Sequence, residues 1–199
     1  MNMRTIPWRT LQRTSFWLGA AALVYAGGTV AHGAIAQRQA SRIFDARVAA
    51  ASARPVTDGS AAVDTPLDLS EGAPIGRLDV LRVGISVIVL QGVDETTLVS
   101  GAGHVPGTPS PGGDGNVVIA AHRDTFFRKL EGVMAGDHIR ITTTRGRYEY
   151  VIDSTEIVDP EDTRVMESRA RNELTLLTCY PFYFVGSAPK RFVVHARPE

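Results

Sequence analysis

From residue 74 onward the chain breaks into short runs of Val, Ile, Leu, Thr and Tyr, separated by Gly, Pro, Asp and Ser. The runs fall at 77–80, 85–90, 117–121, 138–143, 147–158, 174–178 and 191–196. Each carries the branched and aromatic residues that suit a pleated surface. So many short strands in about 125 residues leave a β-barrel or a β-sandwich as the available architectures. Around Thr144, Arg145 and Gly146 the pattern predicts a hairpin, with Ile139 and Ile141 on one arm and Tyr148, Tyr150 and Ile152 on the other. Helical turns are expected near 94–99 and 125–130, and the Gly- and Pro-rich stretch 101–115 reads as an irregular connection or a lid. No internal repeat is present.

The first third of the chain has a different character. Positions 14–37 carry no Asp, Glu, Lys or Arg, and 16–30 are almost wholly apolar or small. As a helix this segment would extend roughly 36 Å, against about 30 Å of bilayer hydrocarbon. Three readings compete: a retained transmembrane anchor, a signal peptide cut after Ala34, Ile35 and Ala36, and a buried helix of a soluble protein. Arg4, Arg9 and Arg13 precede the segment while Arg38, Arg42 and Arg47 follow it, so charge sets orientation weakly, and the expected topology is a cytoplasmic start with an exported body. Ile43, Phe44 and Val48 suggest one helical face continuing beyond the anchor, and 54–74 has linker composition. The expected division is therefore a cytoplasmic N-terminus at 1–13, an anchor at 14–37, a stalk helix and linker at 38–73, and a catalytic domain at 74–199.

Bulk charge narrows the functional classes. Lys plus Arg and Asp plus Glu both number 21 in 199 residues, so no positive field favours nucleic acid. No phosphate-cradling motif with a following Lys and Ser or Thr occurs, which leaves nucleotide hydrolysis without support. His32, His104, His122, His138 and His195 are scattered and a second cysteine is lacking, so no metal is expected, and no cofactor.

Three side chains stand at strand ends. Cys179, the one cysteine of the chain, closes the run 174–178; His122 closes 117–121; Arg191 opens 191–196. A thiol with an ordinary pKa of about 8.5 needs positive surroundings to hold thiolate at neutral pH. Imidazole suits proton delivery to a leaving amine, and a guanidinium offers several fixed donors to an oxyanion without losing its charge. Each residue alone also has an ordinary structural reading: a small apolar side chain, a solvated turn, a surface ion pair. Spacing by itself leaves both open.

Local context narrows the choice. Residues 175–179 (TLLTC), with Tyr180, Pro181 and Phe182, the run 188–192 (APKRF) and the block 117–128 (VVIAAHRDTFFR) resemble the sortases, membrane-anchored cysteine transpeptidases, most closely class D and related single-sortase branches. The resemblance covers about 75–196. It implies a closed eight-stranded β-barrel with short helical turns behind an N-terminal transmembrane helix. It also implies Cys179 as nucleophile, His122 as general acid and then base, and Arg191 as stabiliser of substrate or oxyanion. His104 in GHVPGT, Thr178 and Ala121 enter as substrate-contacting or supporting residues; Ala121 stands where the family usually has glycine. The implied reaction cleaves an LPxTG-like C-terminal sorting signal between Thr and Gly through a thioester and passes the acyl group to an amine. Partners would be surface proteins bearing such signals, an amine of a wall component or protein lysine, and the membrane, with the catalytic domain outside the cytoplasm of a single-pass protein. An inactive peptide-binding relative and a cysteine hydrolase using water are the alternatives.

Overall fold

The computed structural model describes residues 8–52, 67–168 and 171–199; within the first helix the side chains at 10, 11, 26, 29–34, 51 and 52 lie outside that description. Most of the expected linker, at 54–66, and the first seven residues of the expected cytoplasmic start lie outside the described residues. The elements run α1 (Trp8–Ser52), β1 (Pro74–Val80), β2 (Ile85–Gln91), α2 (Glu95–Ser100), β3 (Ala102–His104), β4 (Asn116–Ala120), β5 (His138–Thr142), β6 (Arg147–Val158), β7 (Glu173–Tyr180) and β8 (Lys190–Pro198). Single 3-10 turns occupy Arg128–Gly132 and Thr163–Met166.

The strands close into a barrel in the order β1-β2-β3-β4-β7-β8-β6-β5. The expected closed eight-stranded barrel is therefore the observed fold. Closure leaves no unpaired sheet edge and gives every strand one face toward a common interior. The period-2 pattern sorts side chains accordingly. Val117 and Ile119 of β4, Ile139 and Ile141 of β5, Leu174 and Leu176 of β7, and Val194 and Ala196 of β8 fill the interior. The predicted hairpin forms in the register Ile139↔Tyr150 and Ile141↔Tyr148. Between these inward positions the intervening residues of β7 and β8 face out, and there Leu177 and Val193 join Val158, Val165 and Met166 in a second apolar cluster outside the barrel.

Two expectations need correction. Residues 101–115 were expected to be irregular, yet Ala102–His104 form β3, paired in parallel with β2 and antiparallel with β4. A three-residue strand with two small residues carries no alternation to read; its pairing comes from its neighbours. Gly103 is the one local sign, since a Cβ there would stand 2.2 Å from the Gly92 carbonyl oxygen. The second correction concerns the helical face beyond the anchor. Phe44 is buried against Ile88 and Leu90 with Ala40 and Val48 beside it, whereas Ile43 is exposed. The docked stripe is thus Ala40, Phe44 and Val48, a strict i, i+4 ladder.

The helix and barrel are also joined by polar contacts. Arg77 of β1 donates to Ser41 Oγ at 2.6 Å and to Asp45 Oδ1 at 2.8 Å. With the Gln37 amide oriented to match its neighbours, it donates to the Ser100 carbonyl and accepts from the Ile88 N–H. In the N-terminal half of α1, Phe16, Trp17, Leu18, Leu23 and Val24 are all exposed. Among the described residues no helix is long and apolar enough to cross a membrane. The side chains at 26 and 29–34 of the expected span 14–37 lie outside the described ones.

Candidate active site

The geometry starts from two pairings. In the antiparallel ladder of β7 and β8, Cys179 is the register partner of Arg191. Directly opposed residues share a face of the sheet and bring their Cβ atoms to about 4.5–5.5 Å. The shared face is the outer one, because Leu177 and Val193, two residues before Cys179 and two after Arg191, belong to the outer apolar cluster. On the other side β4 runs parallel to β7, with Ala120 opposite Leu177. Ala121 continues the alternation into the barrel core, and His122 follows it two residues past the end of β4. Cys179 and Arg191 thus occupy paired positions on β7 and β8, and His122 lies just past the end of β4, the strand beside β7, so the three form a row across neighbouring chain segments. All three residues are half-buried, and Cys179 is a free thiol.

The residues just before the thiol and the imidazole hold this row together. Thr178 is buried and its hydroxyl donates to the Ala121 carbonyl at 2.7 Å, while the Ala121 N–H donates to the Leu177 carbonyl at 3.2 Å. These two bonds extend the β4–β7 pairing one step past the end of β4. Ala121 itself lies in the core, and no non-glycine residue among those described has a positive φ, so the methyl in the place of the family glycine costs no backbone strain. Thr178 and Ala121 are thus buried, and the hydrogen bond between them lies beside the row.

The family model described as "Sortase domain" matches residues 78–199 of this chain. The chain belongs to the sortase family. It is 35% identical to Sortase D of Bacillus subtilis (strain 168) over 127 residues, which is 63% of this chain and 64% of that protein. Similarity to Sortase A of Bacillus anthracis reaches 31% identity over 124 residues, 60% of this chain and 57% of the relative. The chain thus matches less than two thirds of either relative's length. Among solved structures, a Clostridium perfringens Sortase D5 transpeptidase superposes with a TM-score of 0.69 at 23% identity, covering 82% of this chain and 98% of that one. Sortase A from Corynebacterium diphtheriae, a lid mutant, gives a TM-score of 0.62 at 26% identity, covering 80% and 95%.

His104 of this sortase stands apart from the row. It pairs with Ile119, three residues before His122, and its side chain is buried. Gln91 Oε1 lies 2.9 Å from Nδ1, while the Pro109 carbonyl at 2.9 Å and Thr108 Oγ1 at 3.1 Å lie near Nε2. Burial pushes its pKa below the ordinary 6.5, against a smaller opposing effect of the Pro109 carbonyl. The ring therefore ties the β3–β4 loop to the end of β2.

One neighbour of the row was not singled out by sequence reasoning. Arg123, next to His122, belongs to a segment whose ordinary alternative reading is a solvated turn. Instead its guanidinium reaches the loop between β7 and β8, where Nη1 donates to the Pro181 carbonyl at 3.0 Å and Nη2 to those of Phe184 and Gly186, both at 2.9 Å. Arg191 is bonded to the same loop, with Nη1 donating to the Lys190 carbonyl at 3.0 Å and to that of Ala188 at 3.4 Å. These partners lie about sixty residues from Arg123 along the chain, and its only local sign is the adjacency to His122.

Proposed function

We propose that this sortase is a cysteine transpeptidase in which Cys179, His122 and Arg191 carry the reaction. The observation behind this reading is the row itself: Arg191 opposite Cys179 in register, with His122 two residues beyond the Ala120↔Leu177 pair. The Cys179 thiolate attacks a substrate carbonyl to give a tetrahedral oxyanion, which the Arg191 guanidinium faces from the neighbouring strand. Collapse expels the amine of the downstream fragment, protonated by His122, and leaves the upstream fragment as a thioester on Cys179. An incoming amine then loses its proton to His122 as it takes the acyl group, which releases the Cys179 thiolate and restores the protonated imidazole.

The substrate we infer is an LPxTG-like C-terminal sorting signal cut between Thr and Gly, and the acceptor an amine of a wall component or a protein lysine. The charge-free stretch at 14–37 supports an anchored enzyme with its barrel outside the cytoplasm, close to the bilayer face where an anchored substrate would emerge. Shared confinement to that face raises the effective concentration of the two partners.

Cleavage of a fluorogenic LPxTG peptide, followed with and without hydroxylamine, tests the reading. Cys179→Ala abolishes turnover while leaving the fold intact, and intact mass spectrometry of the parent shows a thioester adduct. Unchanged turnover in the variant rejects the nucleophile. Product that hydroxylamine fails to divert identifies a hydrolase, and peptide binding without any cleavage identifies a binding module.

A further inference from the structure

The loop between β7 and β8 joins the proposed nucleophile to the proposed oxyanion donor, since Tyr180 and Lys190 are its last paired residues. A connection of this length between two such residues leaves their relative placement dependent on how its backbone is held. Here two guanidiniums hold it. Arg123 takes the carbonyls of Pro181, Phe184 and Gly186; Arg191 takes those of Ala188 and Lys190. The Arg123 guanidinium also lies 5.8 Å from the centre of the Phe184 ring. Three carbonyls of a turning backbone converge on one planar donor set, which a hydrated, single-point ammonium cannot reproduce. Arg123 is half-buried and follows His122 directly, so the same backbone segment that delivers the imidazole also grips the loop that leads to Arg191.

We propose that Arg123 is a positioning residue for the reaction: by bracketing the β7–β8 loop it sets the Arg191 guanidinium against Cys179 and keeps both in step with His122. The inference rests on the site reading given above. Arg123 touches neither thiol nor substrate in this account. Its effect passes through Arg191, and that route gives it a signature of its own.

The test uses the full chain in detergent, with Arg123→Ala, Arg123→Lys, Arg191→Lys and Arg123→Ala/Arg191→Lys compared for kcat, KM and melting temperature on the fluorogenic peptide. Cys179→Ala, run alongside, tests the site reading separately. Arg123→Ala lowers kcat about 10- to 100-fold, in line with the rate lost when a reacting group is displaced by about an ångström, while KM changes less than about threefold. Arg123→Lys recovers little of it. In the Arg191→Lys background the same alanine substitution adds less than about a twofold loss, because residues that act as one unit are not additive. Arg123→Ala activity within about twofold of the parent overturns the proposal, and so does a double-variant loss equal to the product of the single losses. Should Arg123→Ala fail to fold, Arg123→Lys read in the same two backgrounds decides by the same criteria.

Discussion

The Thr178 hydroxyl donates to the Ala121 carbonyl at 2.7 Å, so the residue before the thiol is tied to the residue before the imidazole. Both partners are buried, and the bond continues the β4–β7 pairing beyond the last strand residue of β4. Thr178→Val keeps the shape of the side chain and removes only the donor, leaving the Ala121 carbonyl without its side-chain partner. A loss of about 1–3 kcal/mol in denaturant unfolding is expected, together with slower peptide cleavage. Thr178→Ser, which retains the hydroxyl, stays closer to the parent in rate. Equal rates for valine and threonine at this position show that the bond does not place His122.

The docking of α1 rests on one large side chain. Phe44 is 2% exposed and fills the contact with Ile88 and Leu90 of β2. Phe44→Ala removes that contact and opens a cavity, with an expected loss of about 3 kcal/mol measured by urea unfolding. Ile43→Ala, one position away on the exposed side, serves as the comparison and changes stability by less than about 0.5 kcal/mol. Similar values for the two variants place the helix off the barrel in solution.

Stability of the β3–β4 loop should depend on pH through His104. Its folded pKa lies below the ordinary 6.5 because burial disfavours the charged ring. The unfolded chain therefore binds more protons at this site than the folded one once pH falls below 6.5. The sign follows: stability is full above that pH and declines as pH drops through it. Thermal melts of the parent and of His104→Gln across mildly acidic pH read the difference, with the parent losing stability more steeply. Parallel curves for the two proteins assign the acid sensitivity elsewhere.

The parts of the fold legible from the sequence are those where one face of a strand is buried. In β5 and β6 the apolar residues recur at every second position, and the observed register matches the predicted hairpin. β3 escaped because its residues are small and its pairing is set by β2 and β4. The site was legible as residue types at strand ends, and its assembly was not, since β4 becomes the neighbour of β7 only through the crossover order of the barrel. The resemblance to sortases supplied that adjacency in advance. Arg123 remained hidden because its partners are 58, 61 and 63 residues away, and an arginine beside a histidine looks the same whether it is solvated or holding a loop.

The backbone of α1 runs without interruption from Trp8 to the face that meets β2. Such a rod has no swivel between its exposed apolar half and the barrel. Adding a single residue between Ile35 and Ala36 would turn one end against the other by about 100°, given about 3.6 residues per turn. The direction in which the paired Cys179 and Arg191 point is thus geared to whatever holds the far end of the rod.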